Sequence, residues 1–357
     1  MTELLCVSTR KGLFLLEREG AGWEIRRTAF LGDSVSLAYL DPRSGRLFAA
    51  LKLGHFGAKL HLSEDRGASW REIACPAFPQ EGDKEGPSVL EIWTLAAGPD
   101  ATLWAGTIGG GLFRSGDGGE SWALVEGLWN HPKRAAWIGG GNDAPAVHSL
   151  CIDPKDPRRL ALAVSCGGVW QSADAGESWR VTSAGMYAEF MPPERAEDPA
   201  IQDVHQMVQC RAAPRSFWAQ HHNGVFRSTD GAASWQEVTA IRPSKFGFAV
   251  AVHPEDPKRA WFVPAIKDEC RIPADGALVV ARTTDGGESF DVLRGGLPQR
   301  HAYDLVLRHA LAIDEPGDCL AMGSTSGHLW LSQDQGESWK LLAGHLPPIH
   351  ALGFAQV

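Results

Sequence analysis

His148, His205 and His222, together with Tyr303, are the side chains of this sequence best suited to proton transfer or to holding a divalent cation. Imidazole titrates near neutral pH, and either ring nitrogen takes a proton or a metal once a neighbour fixes the tautomer. Asp203 stands two residues before His205 and Asp143 five before His148, so each imidazole has a carboxylate close in the chain. The candidate catalytic residues are therefore His148, His205, Tyr303 and Asp203, and the candidate metal ligands are His148, His205 and His222. Arg10 is a candidate for holding an anion, and Asp143, His221, His350 and Trp93 are further ligand-binding candidates. No contiguous signature such as H-E-x-x-H joins these residues, so any site they form depends on a fold that gathers distant segments.

Six octapeptides supply that fold: SEDRGASW at 63–70, SGDGGESW at 115–122, SADAGESW at 172–179, STDGAASW at 228–235, TTDGGESF at 283–290 and SQDQGESW at 332–339. Their aspartates, Asp65, Asp117, Asp174, Asp230, Asp285 and Asp334, are separated by 52, 57, 56, 55 and 49 residues. Acids and hydroxyls together suggest a catalytic cluster, but six sister copies point instead to turn chemistry. Ser/Thr and Asp side chains bond nearby amides, and glycine supplies a positive φ. Alternating apolar runs precede most copies (GGLFRS, GGVWQS, NGVFRS, GHLWLS) and follow them (WALV, WRVT, WQEV, WKLL), which spells strand, tight turn, strand. One copy carries Ala232 where the others have glycine, and its turn is expected to be strained or differently built.

Each repeat also carries two earlier strands, as in EIWTLAAGP and TLWAGTI, so the unit is four antiparallel strands. Radial repetition of such units is the β-propeller pattern. The N-terminus supplies LLCVST, KGLFLLE and GWEIRR, three strands of a blade lacking its first, and HALGFAQV at the far end is a lone strand. The expectation is one all-β domain spanning 1–357, a seven-bladed β-propeller of four-stranded blades, closed where the C-terminal strand joins the N-terminal blade.

In this register the octapeptides occupy one rim, and the opposite rim collects the turns between strands two and three and the blade-to-blade segments. Inner strands start there at Ser36, Trp93, His148, His205, Phe248, Tyr303 and His350. The turns add Arg10 and Lys11, His55, Thr107, Cys166, His221 and His222, and Ser324. Six of the 13 histidines thus map to one mouth. The long segments 74–92, 126–147 and 183–204 read as ordered loops or a short helix over part of it.

The octapeptides resemble the Asp-box, or BNR, repeats of sialidase-like propellers, and WIGGGNDAPAVHS, DVHQM, HHNGVFRS and HAYDLVLR resemble bacterial BNR-like proteins labelled glycosyl hydrolase or exo-sialidase. A sialidase resemblance implies an arginine triad, a tyrosine nucleophile with its glutamate, and an acid/base aspartate. Arg271-Ile272-Pro273, the counterpart of the family's R-I-P stretch, falls between the fourth and fifth octapeptides rather than before the first. With three tyrosines in the chain, the nucleophile would fall to Tyr303 or Tyr187.

Composition narrows the partners. Against 34 Lys and Arg stand 43 Asp and Glu, a net charge of −9, opposite to the basic footprint of a nucleic-acid binder. The first twenty residues hold only short apolar runs broken by Arg10, Lys11 and Glu17, which fits neither a secretory core nor a membrane span, and the expected location is cytoplasmic. Seven scattered cysteines form no C-x-x-C pair, and Cys166, though near the mouth, reads as a buried thiol. The functional expectation is a small-molecule-binding propeller acting as a hydrolase or lyase through a His-rich pocket on the rim opposite the octapeptides, with a divalent metal as candidate cofactor. The alternative is a non-catalytic interaction or assembly-factor scaffold.

Overall fold

The computed structural model describes residues 3–20, 22–80, 86–139 and 144–356. Asp143, one of the ligand-binding candidates, lies outside the described residues. The chain is all-β. Among the described residues, consecutive strands form antiparallel meanders: five sheets have four strands each, and one has eight. Two meanders make up the eight-stranded sheet, joined by the single pair Ala146–Ile108. The C-terminal strand Ile349–Gln356 pairs antiparallel with Glu3–Thr9, which pairs in turn with Gly12–Glu19 and that with Gly22–Ala29. Among the described residues, helix is confined to one α-helical turn, Glu126–Trp129, and short 3-10 turns. No helix among the described residues is long and apolar enough to cross a membrane.

Contacts divide the chain into two compact units, residues 1–38 with 205–357, and residues 39–204. In the first, the core forms around Trp261, Trp330, Trp339, Leu320 and Ile349, with a further cluster around Trp218 and Phe262. In the second, Trp104, Trp170 and Trp179 pack with Leu162 and Val147. The alternation of apolar and polar residues along each strand places these large rings between neighbouring sheets.

The octapeptides are turn clasps, and the atoms show how. In the copy at 115–122, Ser115 Oγ donates to Asp117 Oδ1 at 2.7 Å and accepts from the Gly119 amide at 2.9 Å, while Ser121 gives Asp117 both its amide and its hydroxyl. The copies at 63–70, 172–179 and 332–339 repeat this set of bonds. The fourth and fifth residues of every copy are left-handed. The fourth tolerates a side chain, with φ of 59° at Arg66, 60° at Ala175 and 58° at Gln335. The fifth sits at 84° to 97° in the five glycine copies, and Ala232 takes 62° instead. That is the difference expected from the sequence: a Cβ confines the residue to the narrow left-handed well, whereas glycine reaches past it.

Fifth-position glycines are also tight. A Cβ at Gly176 would come within 3.0 Å of the Trp104 ring at a φ of 87°. Gly176→Ala is therefore expected to cost about 1–3 kcal/mol through overpacking and left-handed strain, seen as a lower denaturant midpoint. Hydrogen bonds from Ser69 hold the Asp65 carboxyl down to about 2, those from Ser178 do the same for Asp174, and Asp117 is held well below the ordinary carboxylate range. A carboxylate whose folded-state pKa is depressed contributes stability above its unfolded value, near 3.9, and loses it as pH falls toward about 2. The melting temperature should accordingly drop across that window, and more steeply than for Asp117→Asn, which titrates one group fewer.

One strand departs from expectation. The inner strands that begin at Glu91, Ala146, Val204, Gly247 and Ile349 lie within two residues of the expected starts, but the sixth begins at Leu311 rather than at Tyr303. Residues 302–307 form no strand, because Asp304 is drawn aside into a buried cluster where it accepts hydrogen bonds from Ser324 Oγ and His328 Nδ1, both at 2.7 Å. Tyr303 is left 61% exposed.

Candidate functional site

At the end of each sheet away from the octapeptide turns, several inner strands break register at the residues singled out above. Trp93 is the extra residue between the pairs Ile92–Thr107 and Thr94–Gly106, and His148 that between Val147–Val164 and Ser149–Ala163. His350 is bypassed between Ile349–Thr9 and Ala351–Ser8, while Phe248 lies in the shift between Gly247–Pro264 and Val250–Phe262. A bulge bends the strand and re-aims a side chain that regular pleating would place elsewhere. This device recurs at several strand ends away from the octapeptide turns.

Within the second unit, His148 is buried, its Nδ1 2.8 Å from Ser149 Oγ and its ring edge-on to Trp93 at 6.0 Å. Asp203 is buried as well and accepts from Ser165 Oγ and the Cys166 amide, both at 3.2 Å. Cys166 carries a φ of 52°, and the Asp203 carboxylate helps to hold that strained turn. Its thiol is buried, matching the expectation of a structural cysteine.

Within the first unit, three rings gather around His205, which is 2% exposed. Its Nδ1 lies 2.6 Å from the Gly247 carbonyl oxygen. A carbonyl only accepts, so Nδ1 carries the proton and Nε2 is the basic nitrogen. Phe248 stacks on the imidazole at 4.5 Å and 14°, Phe246 meets it edge-on at 5.6 Å, and His222 lies 5.4 Å away, also edge-on. Arg271 and Arg308 place their guanidinium carbons 5.3 Å and 5.4 Å from the Phe248 ring centre. A low-dielectric aromatic wall with fixed imidazoles suits a proton-transfer group, because it strengthens every charge interaction inside it.

The remaining candidates have other placements. His221 is fully buried, accepts the Asn223 amide on Nδ1 at 3.0 Å and packs on Phe226, so its ring serves the turn between Phe217–His221 and Gly224–Ser228. His350 Nδ1 lies 3.3 Å from the Val35 carbonyl. Arg10 is exposed in the turn after Glu3–Thr9, its amide donating to Pro348. The metal set divides between the units: His205 and His222 are neighbours in the first, and His148 belongs to the second.

No family model matches the chain. A curated relative, the oligoxyloglucan-reducing end-specific xyloglucanase of Emericella nidulans, is 29% identical over 314 residues, covering 86% of this chain and 34% of that protein. The chain thus spans about a third of that relative's length. Among solved structures, the GH74 xyloglucanase from Xanthomonas campestris superposes with a TM-score of 0.65 at 18% identity, covering 97% of this chain and 52% of that one. The periplasmic gluconolactonase of Pseudomonas aeruginosa superposes over the whole of both chains with a TM-score of 0.61 at 15% identity. At such identities the structural likeness speaks to the β-propeller fold alone.

Sequence reasoning missed three contributors. Arg271 was noted only as part of an R-I-P stretch in an unexpected repeat, yet its loop carries it to Phe248. Arg308 closes the HAYDLVLR stretch but was given no role, and Phe246 had no motif to mark it. The Ser324–Asp304–His328 cluster was hidden because Asp304 follows Tyr303, which drew attention as the ring at an expected strand start.

Proposed function

We propose that the chain is a single propeller domain of seven four-stranded blades, closed through the pairing of its first and last strands, and that it hydrolyses a saccharide-class small molecule at the end opposite the octapeptide turns. The observation that carries this reading is His205: a buried imidazole with its tautomer fixed by Gly247, stacked on Phe248 and adjacent to a second imidazole. In this role His205 Nε2 takes a proton from an attacking water or hydroxyl, and His222 shares or returns it. Phe246 and Phe248, both buried, pack on the imidazole and keep the dielectric around it low. The xyloglucanase name carried by the curated relative supports the substrate class, and the fold likeness is compatible with it.

Two imidazoles, with the Asp203 carboxylate two residues upstream in the chain, are also donors of the kind that hold a divalent cation. Elemental analysis of the purified chain, with melting temperatures before and after EDTA, decides between a metal-assisted and a purely acid–base form. One zinc or other divalent ion per chain, and a melting temperature that falls on chelation, assigns the metal form.

The reading is tested by incubating the full chain with xyloglucan oligosaccharides, aryl glycosides and sugar lactones and analysing the products. Turnover of one class is expected. Specific capture of a peptide or protein by the wild-type chain, with no turnover of any of these, would overturn it in favour of the scaffold alternative.

A further inference from the structure

One carboxylate and two imidazoles meet at the start of the strand Val204–Gln209. Among the described residues, Asp203, His205 and His222 each bring one ligating atom within 4.8 Å of the other two. Asp203 immediately precedes that strand, His205 is its second residue, and His222 stands in the turn between Phe217–His221 and Gly224–Ser228. The ligating atoms around a tetrahedral zinc ion, with bonds of about 2.0–2.1 Å, lie roughly 3.3 Å apart, so small side-chain rotations close this set on one ion. His148, a candidate ligand on sequence grounds, gives way to Asp203.

Two of the three groups are oriented from behind. His205 Nδ1 donates to the Gly247 carbonyl at 2.6 Å, which makes Nε2 the coordinating nitrogen. The Asp203 carboxylate accepts from Ser165 Oγ and the Cys166 amide, both at 3.2 Å. Hydrogen bonds of this outer kind hold metal ligands in position and raise their basicity. Phe246 and Phe248 pack on the His205 ring, and the low dielectric they create strengthens the attraction between a carboxylate and a cation. Asp203 and His205 are buried whereas His222 is half-buried, so the set has a solvent side through which an ion enters and on which a further position stays open.

Resting on the metal-assisted form of the hydrolase reading above, we propose that Asp203, His205 and His222 hold one zinc ion per chain. Magnesium and calcium take oxygen ligands, and zinc outranks iron and manganese at nitrogen-rich sites. The chemistry a bound zinc supplies is a water acidic enough to attack near neutral pH, and His205 is then a ligand instead of the base.

Calorimetric titration of the chelator-stripped full chain with zinc chloride and with magnesium chloride tests this. The wild-type chain is expected to bind one zinc saturably, at least about tenfold more tightly than magnesium. His222→Gln and Asp203→Asn should each weaken zinc binding at least about tenfold, and His345→Gln, on the exposed surface, should not. Asparagine still accepts from Ser165 and Cys166, and His222 occupies a half-buried turn, so both metal-free variants should melt close to the metal-free wild type. Cobalt adds a signature that a merely structural role would not move: a visible d–d absorption in the wild type, displaced by zinc and lost in both variants. No saturable zinc binding by the wild-type chain, or binding unchanged in both variants, overturns the proposal. Saccharide turnover by the stripped chain that added zinc does not alter keeps the hydrolase reading and removes the metal. Stoichiometric zinc binding without turnover of any saccharide does the reverse.

Discussion

His205→Asn is expected to lower the turnover of the chain's substrate by about 10²–10⁴-fold, the range over which a positioned general acid or base contributes. Asparagine is the informative replacement. Its Nδ2 occupies nearly the position of the imidazole Nδ1 and can still donate to the Gly247 carbonyl, which His205 approaches at 2.6 Å. What it lacks is the basic nitrogen at the Nε2 position, so the fold is kept while the chemistry is removed. Alanine, in contrast, would strand the Gly247 carbonyl and empty the space against Phe248, at a cost of about 1–3 kcal/mol for the unpaired group alone. Loss of turnover in both variants, with a melting temperature close to wild type in the asparagine form, identifies a chemical role. Full activity of His205→Asn would remove His205 from the reaction.

Trp261→Ala is expected to give the largest loss of stability of any single change considered, about 3–5 kcal/mol, measured as a fall in the denaturant midpoint. Trp261 lies on Ala260–Pro264, is fully buried and donates from Nε1 to the Gln335 carbonyl at 2.9 Å. Gln335 belongs to the octapeptide turn of the following sheet, where the backbone of Gly336 comes so close that a Cβ there would lie 3.3 Å from the indole nitrogen. One ring therefore fills the space between two sheets and ties down the next turn. Trp261→Phe separates these roles, since it keeps most of the apolar volume and loses only the hydrogen bond, for about 1 kcal/mol. A similar small loss in both variants would mean that the neighbouring sheet closes over the space.

Much of this arrangement was legible because repeats multiply weak signals. Any one octapeptide is ambiguous between an acid cluster and a turn, but six copies at a near-constant spacing fixed the strand register. That register in turn located the strand ends carrying Trp93, His148, His205, Phe248 and His350. Even the exceptional Ala232 was marked in advance, because a left-handed position without glycine conflicts with local sterics. The sixth inner strand starts later than the strand-like alternation of HAYDLVLR suggests, and its Asp304 carboxylate is instead held by hydrogen bonds from Ser324 and His328.

The sequence by itself determined the local and periodic features: tandem four-stranded meanders, turn clasps built from Ser, Asp and Gly, and a concentration of histidines at one end of the strands. These depend on contacts within a few residues or on a repeated pattern, and both are visible in one dimension. Only the tertiary structure decided how the histidines divide their work: His205 and His222 face one another, His221 turns inward to hold a turn, and His148 settles beside Trp93. It also decided that Arg271 and Arg308 meet at Phe248. Such choices rest on bulges and loops that carry residues tens of positions apart into contact, and no spacing rule encodes them.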